Sequence, residues 1–211
     1  MKETENTRAI FNKYAEGYQD KYMDVGLYHE SLDLFCENLN SKQTEILEIG
    51  CGPGNLTKYL LSLRPDLKIL GIDLASKMID LARQNNPEAE FRTMDCRDIS
   101  QLNQKFDGIL CGFCLPYLSQ KETIKLIEDM FALLNPGGIV YLSTMEADHK
   151  KSGYEGSSSA EEKLYINYYE SDYLLRNLDK QGFRIIKIYT LENPVNKEGI
   201  RDLVIIAKKI S

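Results

Sequence analysis

The chain has 211 residues, 43% of them hydrophobic and 27% charged, with a net charge of −6 at pH 7. That length supports one substantial core, and no linker-like stretch divides it, so a single domain spanning 1–211 is expected. The acidic balance without a lysine-arginine stripe speaks against a nucleic-acid partner, and no apolar run is long enough to span a bilayer, so a cytoplasmic protein without membrane contact is expected. Five cysteines, an odd number, suit a reducing compartment. Cys111-x-x-Cys114 has no companion pair, and His29 and His149 are the only histidines, so no metal site is expected.

The pattern opens with a helical cap over 1–40. From Thr7 to Leu39 it places Phe11, Tyr14, Ala15, Tyr18 and Tyr22 at spacings of three and four, the stripe of a helix packed on a domain. The apolar run Glu45-Ile46-Leu47-Glu48-Ile49 then reads as a strand that ends in Gly50-Cys51-Gly52-Pro53-Gly54, and a helix begins at Asn55. Glycines at such a turn allow positive φ and the close approach of a ligand to main chain. A dinucleotide turn reads G-x-G-x-x-G, whereas here the third glycine comes one residue early and Pro53 removes an N–H that a phosphate could use. Glu48, two residues before Gly50, would repel a pyrophosphate and could attract a cation.

Leu67 to Asp73 reads as a second strand ending in an acid, followed by a helix over Ser76 to Gln84 with Met78, Ile79 and Ala82 on one face. Asp73 lies 23 residues after Gly50, near the interval at which an acid meets ribose hydroxyls in a mononucleotide-binding unit. A third strand, Ala89 to Thr93, leads into Met94-Asp95-Cys96. Phe106 to Leu118 begins as a fourth strand, and the residues from Cys111 to Tyr117 at its carboxyl end should line a site. A helix over Lys121 to Leu134 stops at Asn135-Pro136-Gly137-Gly138, and Ile139 to Thr144 forms a fifth strand. The polar insertion from Glu146 to Glu170 reads as a lid or binding loop without regular structure and carries His149, Tyr165, Tyr168 and Tyr169. A helix over Ser171 to Gln181 and strands over Phe183 to Thr190 and Leu203 to Ala207 complete an α/β, doubly wound pattern.

On the acidic-x-Gly-x-Gly-x-Gly run from Glu48 to Gly54, with Asp73, Asp95 and the Leu-x-Pro-Gly-Gly stop through Leu133 to Gly138, the chain resembles the class I S-adenosylmethionine-dependent methyltransferases. The resemblance implies a Rossmann-like seven-stranded, mostly parallel sheet with an antiparallel last strand and helices on both faces. It implies S-adenosyl-L-methionine as cofactor and S-adenosyl-L-homocysteine as product. The cofactor-binding residues it implies are Glu48, Gly50, Cys51, Gly52 and Gly54 from the first turn, and Asp73, Leu74 and Met78 from the second. Asp95 and Cys96 would meet the adenine, Cys111 the methionine part, and Tyr14 or Tyr22 of the first helix would reach over the cofactor.

Phe113, Tyr117, His149 and Tyr168 are the candidates for the acceptor side. No residue is assigned to catalysis: His149 is the one evident base, but a histidine in a polar loop is ordinarily idle. Leu115-Pro116-Tyr117 keeps only the end of the motif of amine-methylating nucleic-acid enzymes, and Cys114-Leu115 lacks the Cys-Pro of the base C5 enzymes, which favours a small-molecule N, O or C acceptor. Methylation of RNA or protein, a nicotinamide-dependent enzyme and a non-catalytic binding module stand as alternatives, and monomer and homodimer both stay open.

Overall fold

The computed structural model describes residues 2–39, 44–156, 162–192 and 198–210. Three helices, α1 (Lys2–Lys13), α2 (Ala15–Tyr22) and α3 (His29–Asn38), precede β1 (Glu45–Ile49) and α4 (Asn55–Leu63). The chain continues through β2 (Lys68–Asp73), α5 (Ser76–Asn85), β3 (Glu90–Thr93), β4 (Phe106–Gly112), α6 (Gln120–Leu133) and β5 (Leu134–Glu146). A small hairpin, β6 (Gly153–Glu155) with β7 (Leu164–Ile166), comes before α7 (Ser171–Gln181), β8 (Phe183–Glu192) and β9 (Arg201–Lys209).

The main sheet has seven strands in the order β3-β2-β1-β4-β5-β9-β8, the first five parallel and β9 antiparallel to both of its neighbours. The expected architecture is thus observed, with successive side chains of each central strand facing opposite helix layers. On β1, Ile46 faces α3 and α4 with Leu32, Phe35 and Leu60, while Leu47 and Ile49 face α6 and α7 with Leu126, Met130 and Leu174. Covering both faces with helices leaves the central strands buried along almost their whole length, Glu48 of β1 included. Helix α6 starts on a capping box in which Glu122 N–H donates to Ser119 Oγ and the Glu122 carboxylate accepts from Ser119 N–H at 2.7 Å. Among the described residues no helix is long and apolar enough to cross a membrane.

Two expectations change. The amino-terminal helix is broken, because Tyr14 sits between α1 and α2 with φ −108° and ψ 18°. The insertion is not an unstructured loop: edge-to-face packing of Tyr154 on Tyr165, 5.2 Å between centroids, accompanies pairing of β6 with β7. Its Gly/Ser-rich piece from 157 to 161 lies outside the described residues.

Candidate active site

The carboxyl ends of β1, β2, β3 and β4 converge on a cleft of about 690 Å³, its open mouth included. This is where an open α/β sheet takes its ligands, because the strand order reverses between β1 and β4 and the adjoining turns part. From the first turn, Gly50 (φ +68°) and Gly52 (φ +53°) line the cleft. A Cβ on Gly50 would stand 3.2 Å from Cβ of Cys114, so the left-handed turn lies flat against the turn after β4.

Asp73 ties the first two turns together. Gly52 N–H donates to its Oδ2 at 3.0 Å and Ala75 N–H to its Oδ1 at 2.8 Å. Burial raises the Asp73 carboxyl above the usual range, while donors from Ala75, Gly52 and Leu74 pull it back. The side chain lines the cleft with Leu74 and Met78.

The turn after β3 adds Met94, Asp95, Cys96 and Arg97. Asp95 caps that turn by accepting from Arg97 N–H at 3.0 Å and also accepts from the Arg97 guanidinium at 3.0 Å. Arg97 Nε donates to Glu122 at 2.5 Å, and its remaining amino group reaches Tyr117 O at 3.3 Å. The Arg97 charge is therefore met by two carboxylates. From the turn after β4 come Gly112, Phe113, Cys114, Tyr117 and Leu118. Phe113 holds φ +50°, a left-handed conformation kept in part by its N–H donating to Ser143 O at 3.1 Å.

Helix α1 closes the cleft with Thr4, Thr7 and Phe11, and α2 adds Tyr18. Phe11 packs edge-on against Tyr117 at 5.1 Å and against Tyr18 at 5.9 Å. At one end α1 touches the hairpin, where Asn6 Nδ2 donates to Lys163 O at 2.8 Å, and at the other Asn12 Oδ1 accepts from Lys77 N–H of α5 at 2.9 Å.

Gly50, Gly52, Asp73, Leu74, Met78, Asp95, Cys96, Phe113 and Tyr117 thus come together in one cleft, and eight other expected residues do not. Tyr14 is 47% exposed beside Lys13, and Tyr22 stands behind Tyr18, its ring 4.6 Å from that of Tyr18. Tyr18 takes the expected place of a tyrosine over the glycine turn. Cys51 is buried under α5 with Ile79 and Phe91, and Cys111 lies in the core between β1 and β5. Gly54 abuts Ala82 and Asn86 of α5 rather than the cleft. His149 Nδ1 is 2.9 Å from Tyr168 O, and Tyr168 points into the hairpin cluster with Ile166, its hydroxyl donating to Glu155.

Glu48 also differs from expectation. It is buried under α4, accepting a hydrogen bond from Thr57 Oγ1, and burial pushes its carboxyl up to about 8. Buried outside the cleft lining, with burial opposing its charged form, it is poorly placed as a counter-ion for a cation. A carboxyl raised on folding contributes its full stability below about pH 4.5 and loses that contribution as pH rises towards 8. Glu48→Gln, which keeps an acceptor for Thr57, is expected to flatten the fall of Tm between those limits. Parallel Tm curves for the two proteins would show that Glu48 is ionised when folded.

Sequence reasoning passed over Thr4, Thr7, Met94, Arg97 and Leu118, which only chain crossings bring to the cleft. Tyr18 had a signal: Phe11, Ala15, Tyr18 and Tyr22 follow a four-three-four spacing, and Tyr14 stands off that line.

A family model described as a methyltransferase domain matches residues 46–138, the segment from β1 to the start of β5 that builds the cleft floor. Over that segment the chain is similar to methyltransferase domains, and its sheet has the fold of the class I S-adenosylmethionine-dependent methyltransferases. A malonyl-[acyl-carrier protein] O-methyltransferase of Priestia megaterium is 30% identical over 158 residues, 73% of this chain and 56% of its own length. A trans-aconitate 2-methyltransferase of Variovorax paradoxus is 34% identical over 95 residues, 45% of this chain and 36% of its own. The chain spans about a third to a half of the length of these curated relatives. In fold it is similar to magnesium protoporphyrin IX methyltransferase from Synechocystis PCC 6803, solved with bound SAM, with a TM-score of 0.74 at 17% identity over 98% of this chain and 97% of that one.

Proposed function

We propose that this protein transfers the methyl group of S-adenosylmethionine to a small, neutral acceptor. The donor set of the cleft fits a nucleoside without phosphates. The Asp73 carboxylate faces the cleft where vicinal ribose hydroxyls would lie, and Asp95 and Cys96 N–H would meet the adenine edge between Leu74 and Met78. Pro53 and the two acids make the turn a poor phosphate cradle. When bound, the sulfonium supplies an activated methyl group that an aligned nucleophile displaces in line.

The observation that carries the acceptor class is the pairing of Arg97. It is the one cationic side chain among the described residues lining the cleft, and Asp95 and Glu122 already occupy it. An acidic acceptor would enter without a counter-charge, which costs several kcal/mol of desolvation, on the order of the penalty for one buried ion. The remaining wall, Phe11, Phe113 and Tyr117 with Thr4 and Thr7, suits an uncharged molecule with an apolar face and a polar edge. Burial raises the Tyr18 and Tyr117 phenols above their usual range, so both serve as neutral hydrogen-bonding groups and not as bases. What the chain contributes is alignment and exclusion of water by α1.

The malonyl-[acyl-carrier protein] and trans-aconitate of the named relatives are acidic, and the paired state of Arg97 argues against both for this chain. Calorimetric titration is expected to show binding of S-adenosylhomocysteine and none of NAD, and labelled methyl transfer is expected only within a panel of neutral acceptors. Tight NAD binding with no response to S-adenosylhomocysteine would overturn the reading. Transfer confined to carboxylic acids would overturn the acceptor class.

A further inference from the structure

The five thiols divide by position. Cys36 lies in the core on α3 and Cys51 beneath α5, while Cys96 and Cys114 line the floor of the cleft with Cys111 in the core behind them. Cys96 comes from the turn after β3 and Cys114 from the turn after β4, two elements that are not neighbours in the sheet. Their Sγ atoms are 3.6 Å apart in a thiol–thiol contact, and both residues line the cleft. Cys111 stands behind them, fully buried, with its thiol in hydrogen-bond contact with that of Cys114.

A buried cysteine ordinarily acts as a small apolar side chain. That accounts for Cys36, Cys51 and Cys111. It does not account for two half-buried thiols facing each other across an open cleft, and displacement at a sulfonium needs neither of them. A disulfide requires sulfurs about 2.05 Å apart, so these two have about 1.5 Å to close, within the reach of side-chain rotation on turns outside the strand ladders.

We propose that Cys96 and Cys114 are a dithiol modification site, oxidised to a disulfide by a low-molecular-weight disulfide of the glutathione type, and that the bridge and the nucleoside cofactor exclude each other. The exclusion, though not the bridge, rests on the cofactor reading above. The Cys96 thiolate attacks one sulfur of glutathione disulfide, and the departing glutathione takes up the proton that Cys96 has lost. The Cys114 thiolate then attacks Sγ of Cys96 and releases the second glutathione, which is protonated in turn. Two protein thiols are oxidised, and one disulfide is reduced to two thiols.

Both thiols are held well above the usual cysteine range, Cys96 by its contact with Cys114 and by burial, Cys114 by its contact with Cys111. Thiolate is therefore scarce at neutral pH, and oxidation is slow there and quickens as pH rises. The bridge would draw the turn carrying Cys96 N–H towards the turn carrying Phe113. Cys114 already lies close to Gly50, where an added Cβ would stand 3.2 Å from Cys114 Cβ, so the bridge forms beside the glycine turn. The nucleoside is expected to occupy the same floor, so each state should oppose the other.

The test is incubation of the full chain with glutathione disulfide, trapping of free thiols, intact mass measurement and peptide mapping. The expected product has lost two hydrogen atoms and contains a peptide joining Cys96 to Cys114, and Cys96→Ser forms no such link. Saturating S-adenosylhomocysteine should slow the reaction about tenfold, and the oxidised protein should bind it about tenfold more weakly, the equivalent of one lost hydrogen bond at about 1.4 kcal/mol. A Cys111–Cys114 link, a stable glutathione adduct without a bridge, or no change in mass would overturn the site. Bridge formation at the same rate with and without bound S-adenosylhomocysteine would overturn the exclusion. A reduced protein that forms the bridge yet binds no S-adenosylhomocysteine overturns the cofactor reading and leaves the dithiol standing.

Discussion

Asp73→Ala is expected to weaken binding of S-adenosylhomocysteine by roughly 1.5 to 3 kcal/mol, the value of a hydrogen bond to a charged group, which is about a ten- to 150-fold rise in Kd. The side chain faces the cleft from the end of β2 and is the one acid that joins two of its turns. Its Oδ2 and Oδ1 hold the N–H groups of Gly52 and Ala75, so alanine removes the ribose partner and also frees two backbone donors. Asp73→Asn separates these roles. It keeps one acceptor oxygen for the backbone and turns an NH2 group towards the other N–H, so its affinity should lie between wild type and alanine. Calorimetry on the three proteins, with thermal unfolding alongside, checks this order. Unchanged affinity in Asp73→Ala with a lowered Tm would mean that the acid serves only to shape the turn.

Gly54→Ala should act on stability instead of affinity, at about 3 kcal/mol. Gly54 holds φ +79° and ψ 31°, where a Cβ costs about 1–2 kcal/mol. That Cβ would also stand 2.3 Å from Asn86 Nδ2 and 3.3 Å from Cα of Ala82, in the tight contact between the start of α4 and the end of α5. Asn86 is buried, and its Nδ2 donates to Gly54 O at 3.0 Å and Ala82 O at 3.3 Å. Displacing it breaks buried hydrogen bonds at about 1–3 kcal/mol. For a chain of this size the sum corresponds to a fall in Tm of about 6–12 °C. Gly17→Ala is the control: in the interior of α2, with nothing within 4 Å of its added Cβ, it should be stabilising by roughly 0.5–1 kcal/mol. A Gly54→Ala Tm no lower than that of wild type would mean that α5 yields without cost.

These two positions also mark how far local pattern reaches. Gly54 belongs to the same glycine run as Gly50 and Gly52, and the run is readable as a strand-to-helix turn because its demand is on φ. Which of the three faces a ligand depends on α5, whose Ala82 and Asn86 lie 28 and 32 residues further on. Glu48 is a similar case. As a string it is an acid two residues from a glycine turn, but in the fold it is a buried carboxyl against Thr57, and burial outweighs the hydrogen bond that would keep it charged. Tyr18 and Tyr14 differ by one turn of helix. The break at Tyr14, together with packing of Phe11 and Tyr18 on Tyr117 and Gly52, turns one ring inward and leaves the other out.

Alternation of apolar residues was enough for the strands, their intervening helices and the α/β class, since a period of two or 3.6 and a glycine or proline stop are properties of adjacent residues. Asp73 was readable as the acid that ends a strand at the interval of a ribose partner, whereas Asp95 came only from the family resemblance. Partnership was not readable. Folding alone brought Glu122 to Arg97 and Cys96 to Cys114, and paired residues 153–155 with 164–166 beside α1. Those contacts join residues brought together by chain crossings, and charge compensation, burial and thiol reactivity are set by neighbours in space.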